Sequence, residues 1–146
     1  FVAKACCDLL SGRPITIYGD GGYVRDWLYV ADNSYYLGAI LRNGAVGQVY
    51  NVPAGQLYTT RQVAEVLITL HRGGEIDFVP DRPGNDRRYA MSGERLHSLN
   101  YGLRYPLPLR DGLALTYEWY KAYREWWGPK LQASDAIPST AVEARI

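Results

Sequence analysis

Cysteine, histidine, net charge and long apolar runs are all scarce in this chain of 146 residues. The two cysteines, Cys6 and Cys7, are neighbours in an apolar, helix-like stretch. Adjacent positions on a helix do not face each other, so a disulfide framework is excluded and a reduced, cytoplasmic setting is expected. His71 and His97 stand apart and no C-x-x-C pair occurs, which leaves no metal-ligand spacing. A formal net charge of +1 removes the main argument for a nucleic-acid partner, a strongly basic domain. No apolar run nears the roughly eighteen residues of a membrane helix, and no signal-peptide pattern opens the chain, so no membrane partner is expected. A methionine start is lacking too. The chain opens at Phe1 within "FVAKACCDLL" and reads as cut from something longer.

What is present is enough chain for one domain with a real core, and thirteen tyrosines and four tryptophans, many of them near loops. The order of elements is mixed α/β. Residues 1–10 read as the tail of a helix stopped by "SGRP", "ITIY" (15–18) as a β-branched strand and "GDGG" (19–22) as a turn. "VRDWLYV" (24–30) alternates, with Arg25, Trp27 and Tyr29 on one face. Asp32 is placed to N-cap a helix running to about Arg42, and "QVYNV" (48–52) reads as the next strand. Thr59 and Gln62 have capping-box spacing ahead of Val63, Val66, Leu67 and Leu70, and Gly73-Gly74 ends that helix. "IDFV" (76–79) is a strand, 81–90 its exit loop, Ser92 the cap of a short helix, and 111–127 a last aromatic helix. Residues 1–128 are thus the expected folded unit, and 129–146, past Gly128-Pro129, a loose tail. The helix after Asp32 carries Tyr35, Leu37, Ala39, Ile40 and Leu41, too many for one buried stripe; part of it is expected to pack on a domain outside this chain.

Few residues have the spacing of a catalytic centre. "GDGGYV" begins like a dinucleotide loop, but Val24 stands at the sixth position and a strand-like run follows, so no helix N-terminus meets a pyrophosphate. Tyr117 and Lys121 lie four apart, a spacing that serves proton transfer only beside a nucleotide fold; on a final amphipathic helix it reads as a packed aromatic with its neighbour. A nucleophile elbow is absent. Anion recognition remains. Arg25 follows the glycine turn, and Arg82 sits in "DRPGNDRRYA" at a strand end. Guanidinium forks suit phosphate. The bland alternative pairs Arg25 with Asp26 or Asp20, and Arg82 with Asp81 or Asp86. Spacing alone leaves both open.

Taken together, "ITIYGDGGYVRDWLYVAD", "VYNV", "DRPGNDRRYA" and "YEWYKAYREWW" resemble the C-terminal part of the dTDP-glucose 4,6-dehydratases. These are extended short-chain dehydrogenase/reductases of the NAD-dependent epimerase/dehydratase family. The resemblance spans about residues 1–128 and favours this branch over UDP-galactose epimerases and UDP-glucuronate decarboxylases, which share the fold. It implies the substrate-binding subdomain of an NAD-dependent lyase of deoxysugar synthesis, converting dTDP-glucose to dTDP-4-keto-6-deoxyglucose. NAD and the catalytic Tyr and Lys would belong to a Rossmann half absent from this chain, through which full-length members dimerise. The fragment alone is not expected to be catalytic. The rivals are a stand-alone, non-catalytic sugar-nucleotide-binding module, a degenerate piece with only a structural role, and a related UDP- or GDP-sugar epimerase, decarboxylase or dehydratase.

Residue by residue, the resemblance lays Thr16, Ile17 and Tyr18 along the nucleotide of a dTDP-hexose. It puts Arg25 and Arg82 on the diphosphate, and Thr60 and Asn85 on further substrate contacts. Asn85 stands where the family has histidine, Asn33 likewise, Thr16 where it has proline, and Thr60 where it has asparagine. Asn85 keeps a donor but loses a titratable ring. These departures bear on base preference more than on the diphosphate contacts.

Overall fold

The computed structural model describes residues 1–99 and 104–135. Its elements are α1 (Val2–Leu10), β1 (Ile15–Tyr18), β2 (Val24–Asp26), α2 (Val30–Asn43), β3 (Leu57–Thr59), α3 (Thr60–His71), β4 (Ile76–Val79), α4 (Glu94–His97), α5 (Leu109–Ala122) and α6 (Arg124–Asp135). The class is mixed α/β. β1 and β4 pair in parallel, from Ile15↔Ile76 to Tyr18↔Val79. β2 and β3 pair antiparallel, with Arg25 opposite Tyr58.

Period-two alternation in β1 decides what lies on each side. Ile15 and Ile17 are buried, while Tyr18 is exposed. The two isoleucines pack against Ala5, Cys6 and Leu9 of α1, Val63, Ala64 and Leu67 of α3, and Leu109, Leu113 and Tyr117 of α5. α3 starts where its capping box places it: the Thr59 side chain accepts from Gln62 N at 3.1 Å, and Gln62 Oε1 accepts from Thr59 N at 2.8 Å. It ends at Arg72, held in the left-handed region at φ 64°. Gly74 follows against α1 at φ 110°, where a side chain would be strained, and a Cβ there would push on Leu9 Cδ2 from 2.5 Å.

Several local expectations fail for tertiary reasons. Asp32 is not an N-cap. The helix starts at Val30, and the Asp32 carboxylate is buried one turn in, accepting from Arg104 Nη2 at 2.7 Å and Leu107 N at 2.8 Å. That charge does not cap its own helix; it staples the segment leading to α5. The strand expected over 24–30 stops at Asp26, whose carboxylate instead accepts from Gly55 N and Gln56 N. Residues 48–52 form no strand, and the partner of β2 is Leu57–Thr59. Helical structure also continues past Gly128 and Pro129 to Asp135, where a loose tail was expected. Trp127 anchors that extension: it is buried and its indole donates to Tyr120 O at 2.7 Å. The rest of the expected tail lies outside the described residues.

Candidate functional site

All seven sequence-selected residues line one cavity of about 380 Å3: Thr16, Ile17 and Tyr18 from β1, Arg25 from β2, Thr60 from the start of α3, and Arg82 and Asn85 from the loop after β4. The parallel pairing brings them together. β1 and β4 end side by side, so the turn after Tyr18 and the loop after Val79 meet above the same sheet edge. Gly19 N donates to Val79 O at 2.9 Å across that junction.

Arg25 is half-buried and held from several directions. Its Nη1 donates to Val24 O at 2.7 Å, and its Nη2 to Asp86 O at 2.9 Å and Asn85 Oδ1 at 3.2 Å. Its guanidinium carbon lies 4.4 Å from the Tyr89 ring centroid. That of Arg82 lies 4.3 Å over the Tyr18 ring. Among the described residues neither guanidinium is ion-paired to a carboxylate. The aspartates that sequence spacing offered them are engaged elsewhere. Asp81 accepts from the Tyr23 hydroxyl and from Arg82 N, Asp86 from the Tyr89 hydroxyl, and Asp20 from Arg87. The Arg87 hydrogen bond, with help from Gly22 N, pulls the Asp20 carboxyl down to about 2. Hydrogen bonding to Asp81 and Asp86 pushes the Tyr23 and Tyr89 phenols up, so both remain donors.

Among the further residues that line the cavity, sequence reasoning passed over Phe1, Lys4, Asp8 and Tyr23. Lys4 and Asp8 carried a signal, the i, i+4 spacing of a helical ion pair, and they meet at 2.5 Å. Asp8 is buried and also pairs with Arg13 at 2.8 Å. Phe1 packs on Trp27 at a centroid distance of 6.1 Å, a tertiary contact without local trace.

Tyr117 and Lys121 are parted by their surroundings. Tyr117 is buried, its hydroxyl 2.7 Å from His71 Nδ1, and burial pushes its phenol up, opposite to what a proton-transfer tyrosine needs. Lys121 turns to Glu118 at 3.6 Å. The Gly19–Gly22 turn runs into β2, so no helix N-terminus stands behind it and this turn does not fit the pyrophosphate of a dinucleotide cofactor. None of the helices of the described residues is long and apolar enough to cross a membrane.

The pattern of the NAD dependent epimerase/dehydratase family matches residues 1–53. A dTDP-glucose 4,6-dehydratase of Streptomyces griseus is 35% identical over 86% of this chain and 38% of its own length. The dTDP-glucose 4,6-dehydratase of Bacillus anthracis, solved in complex with NAD, superposes with a TM-score of 0.79 at 35% identity, covering 88% of this chain and 41% of that one. A UDP-glucose 4-epimerase of Thermotoga maritima, solved with UDP-glucose, gives a TM-score of 0.75 at 28% identity, over 83% and 39%. The chain spans about two-fifths of the length of these relatives.

Proposed function

Because the chain belongs to the NAD dependent epimerase/dehydratase family, we propose that it grips the nucleoside-diphosphate end of a nucleotide-hexose. It does so as the substrate-binding portion of a dTDP-glucose 4,6-dehydratase. The observation that carries this reading is the pair of arginines. Arg25 and Arg82 come from a strand and a distant loop, line one cavity, and keep their charge free of carboxylates among the described residues.

A diphosphate answers that arrangement with two anionic groups. Arg25 is already oriented by two carbonyls and Tyr89, and Arg82 by the face of Tyr18, so little rotamer freedom is lost on binding. Thr16 and Ile17 give the nucleoside an extended backbone edge, and Thr60 and Asn85 add polar contacts. Grip on this remote end holds the hexose still for chemistry at its far side. NAD supplies the hydride chemistry of the whole enzyme. Among the described residues the glycine turn does not fit it, and the share proposed for this chain is binding and orientation.

Titration calorimetry of the protein as its gene encodes it, with dTDP, tests the reading. Arg25→Ala should weaken binding about 10–100-fold, the equivalent of losing charged hydrogen bonds worth roughly 1.5–3 kcal/mol. Unchanged affinity would remove Arg25 from the phosphate site. A second reading, a UDP-sugar epimerase, is favoured by the likeness to the Thermotoga enzyme. It predicts tighter binding of UDP than of dTDP in the same cell.

A further inference from the structure

The loop over 81–90 brings Arg82 and Asn85 to the cavity with Pro83 and Gly84 between them, Gly84 at φ 74°. It is tied down on both sides of that span. Before it, the Tyr23 hydroxyl donates to Asp81. After it, Arg87 makes a two-point pair with Asp20: Nη1 to Oδ1 and Nη2 to Oδ2, each 2.9 Å. The backbone follows the second tie. Val24 N donates to Arg87 O at 2.9 Å, and Tyr89 N to Val24 O at 3.1 Å.

Arg87 does not itself line the cavity. Its guanidinium crosses the glycine turn, and a Cβ on Gly22 would overlap Nη2. Gly22, unlike Gly19 and Gly21 at φ 59° and 71°, is not in the left-handed region. What glycine leaves at position 22 is therefore room for the arginine, not a special backbone angle. The partner of Arg87 lies 67 positions away and belongs to the turn that precedes Arg25.

We propose that Asp20 and Arg87 are a positioning pair, clasping the loop onto the glycine turn so that Arg82 and Asn85 meet the ligand from a fixed height above Arg25. This rests on the nucleotide reading. A scattered surface pair contributes little, but a two-point fork that closes a loop limits where the loop's other arginine can go. Arg87 thereby acts through Arg82 without touching the nucleotide.

The test uses the protein as its gene encodes it, dTDP and UDP as probes in calorimetry, and hydrogen exchange of the loop amides without ligand. Arg87→Ala and Gly22→Ala should each weaken binding about 3–10-fold and speed exchange over 82–88. Gly22→Ala keeps both charges and only crowds the clasp. In an Arg82→Ala background, Arg87→Ala should add clearly less than it does alone, because the larger part of what it positions is then gone. Arg87→Lys should recover only part of the loss, since an ammonium cannot form the two-point fork.

Two results would overturn the clasp while leaving the nucleotide site standing. One is full affinity in Arg87→Ala when Arg82→Ala has lost it. The other is an Arg87→Ala penalty of the same size with and without Arg82. If neither probe binds the unsubstituted protein, or Arg25→Ala and Arg82→Ala bind as it does, the nucleotide reading fails and the positioning role with it.

Discussion

Two hollows of comparable size flank Trp27, one of about 380 Å3 and one of about 490 Å3, and among the described residues that tryptophan alone lines both. The first contains Lys4, Asp8, Arg25 and Arg82. The second is walled by Leu28, Val30, Leu107, Leu113, Leu115 and Trp119, with no charged side chain in its lining among the described residues. Helix α1 feeds both by its periodicity: Lys4, Ala5 and Asp8 turn to the charged side, Val2 and Ala3 to the apolar one. Size does not distinguish them. The charged hollow has donors held in place by carbonyls and rings, which gives it chemistry to recognise an anion, while the other offers only area.

The largest effect should fall on what the hollows share. Ile15 and Ile17 floor the charged one, Leu109 and Leu113 the apolar one, and all four pack into the cluster around Leu67, which is fully buried. Leu67→Ala should cost about 2–5 kcal/mol, read by thermal or denaturant unfolding. A cost under about 1 kcal/mol would mean that the two sides do not rest on one core.

A smaller effect should separate them. Trp119→Ser trims an aromatic that is 42% exposed and lines only the apolar hollow. It should leave dTDP affinity within about twofold and lower the binding of a hydrophobic dye, where Arg25→Ala does the reverse. Loss of nucleotide affinity in Trp119→Ser would join the two hollows into one site.

The smallest effect concerns acid. Asp20 is held at about 2 when folded against an ordinary 3.8, so its contribution is present above the ordinary value and is lost as the pH falls through the folded one. Protection of the loop amides over 82–88, taken relative to their intrinsic exchange rate at each pH, should therefore fall between about pH 4 and 2, and Asp20→Asn should lower it already at neutral pH. Because the pair is exposed, added salt should blunt the difference.

How much of this could be read from sequence depended on whether the partner was near. The capping box of α3 needs only Thr59 and Gln62, and β1 and β4 need only their own β-branched runs; all were legible. Asp32 satisfied the local rule for a cap and was claimed instead by Arg104, far along the chain. The three-residue β3 has no pattern of its own and exists because β2 lies beside it. In the candidate site, motif resemblance selected seven residues that the fold gathers around one cavity, but it could not say which aspartate would take which arginine. That allocation depends on angles across the glycine turn, and no spacing rule contains them.

The parallel pairing of β1 with β4 also sets an order of events in time. Every paired position in that ladder joins residues roughly sixty apart, and such distant closures are the slow ones because the intervening chain must be ordered before any contact repays it. α1 and α3 can form early from local signals alone. The floor and the roof of the anion cavity cannot, since Tyr18 and Arg82 meet only when that ladder has closed. On a ribosome, no length of chain ending before the arginine loop contains the site in any form. Recognition is then a property this fold acquires late and, with an exposed loop as its roof, one that local opening readily takes away.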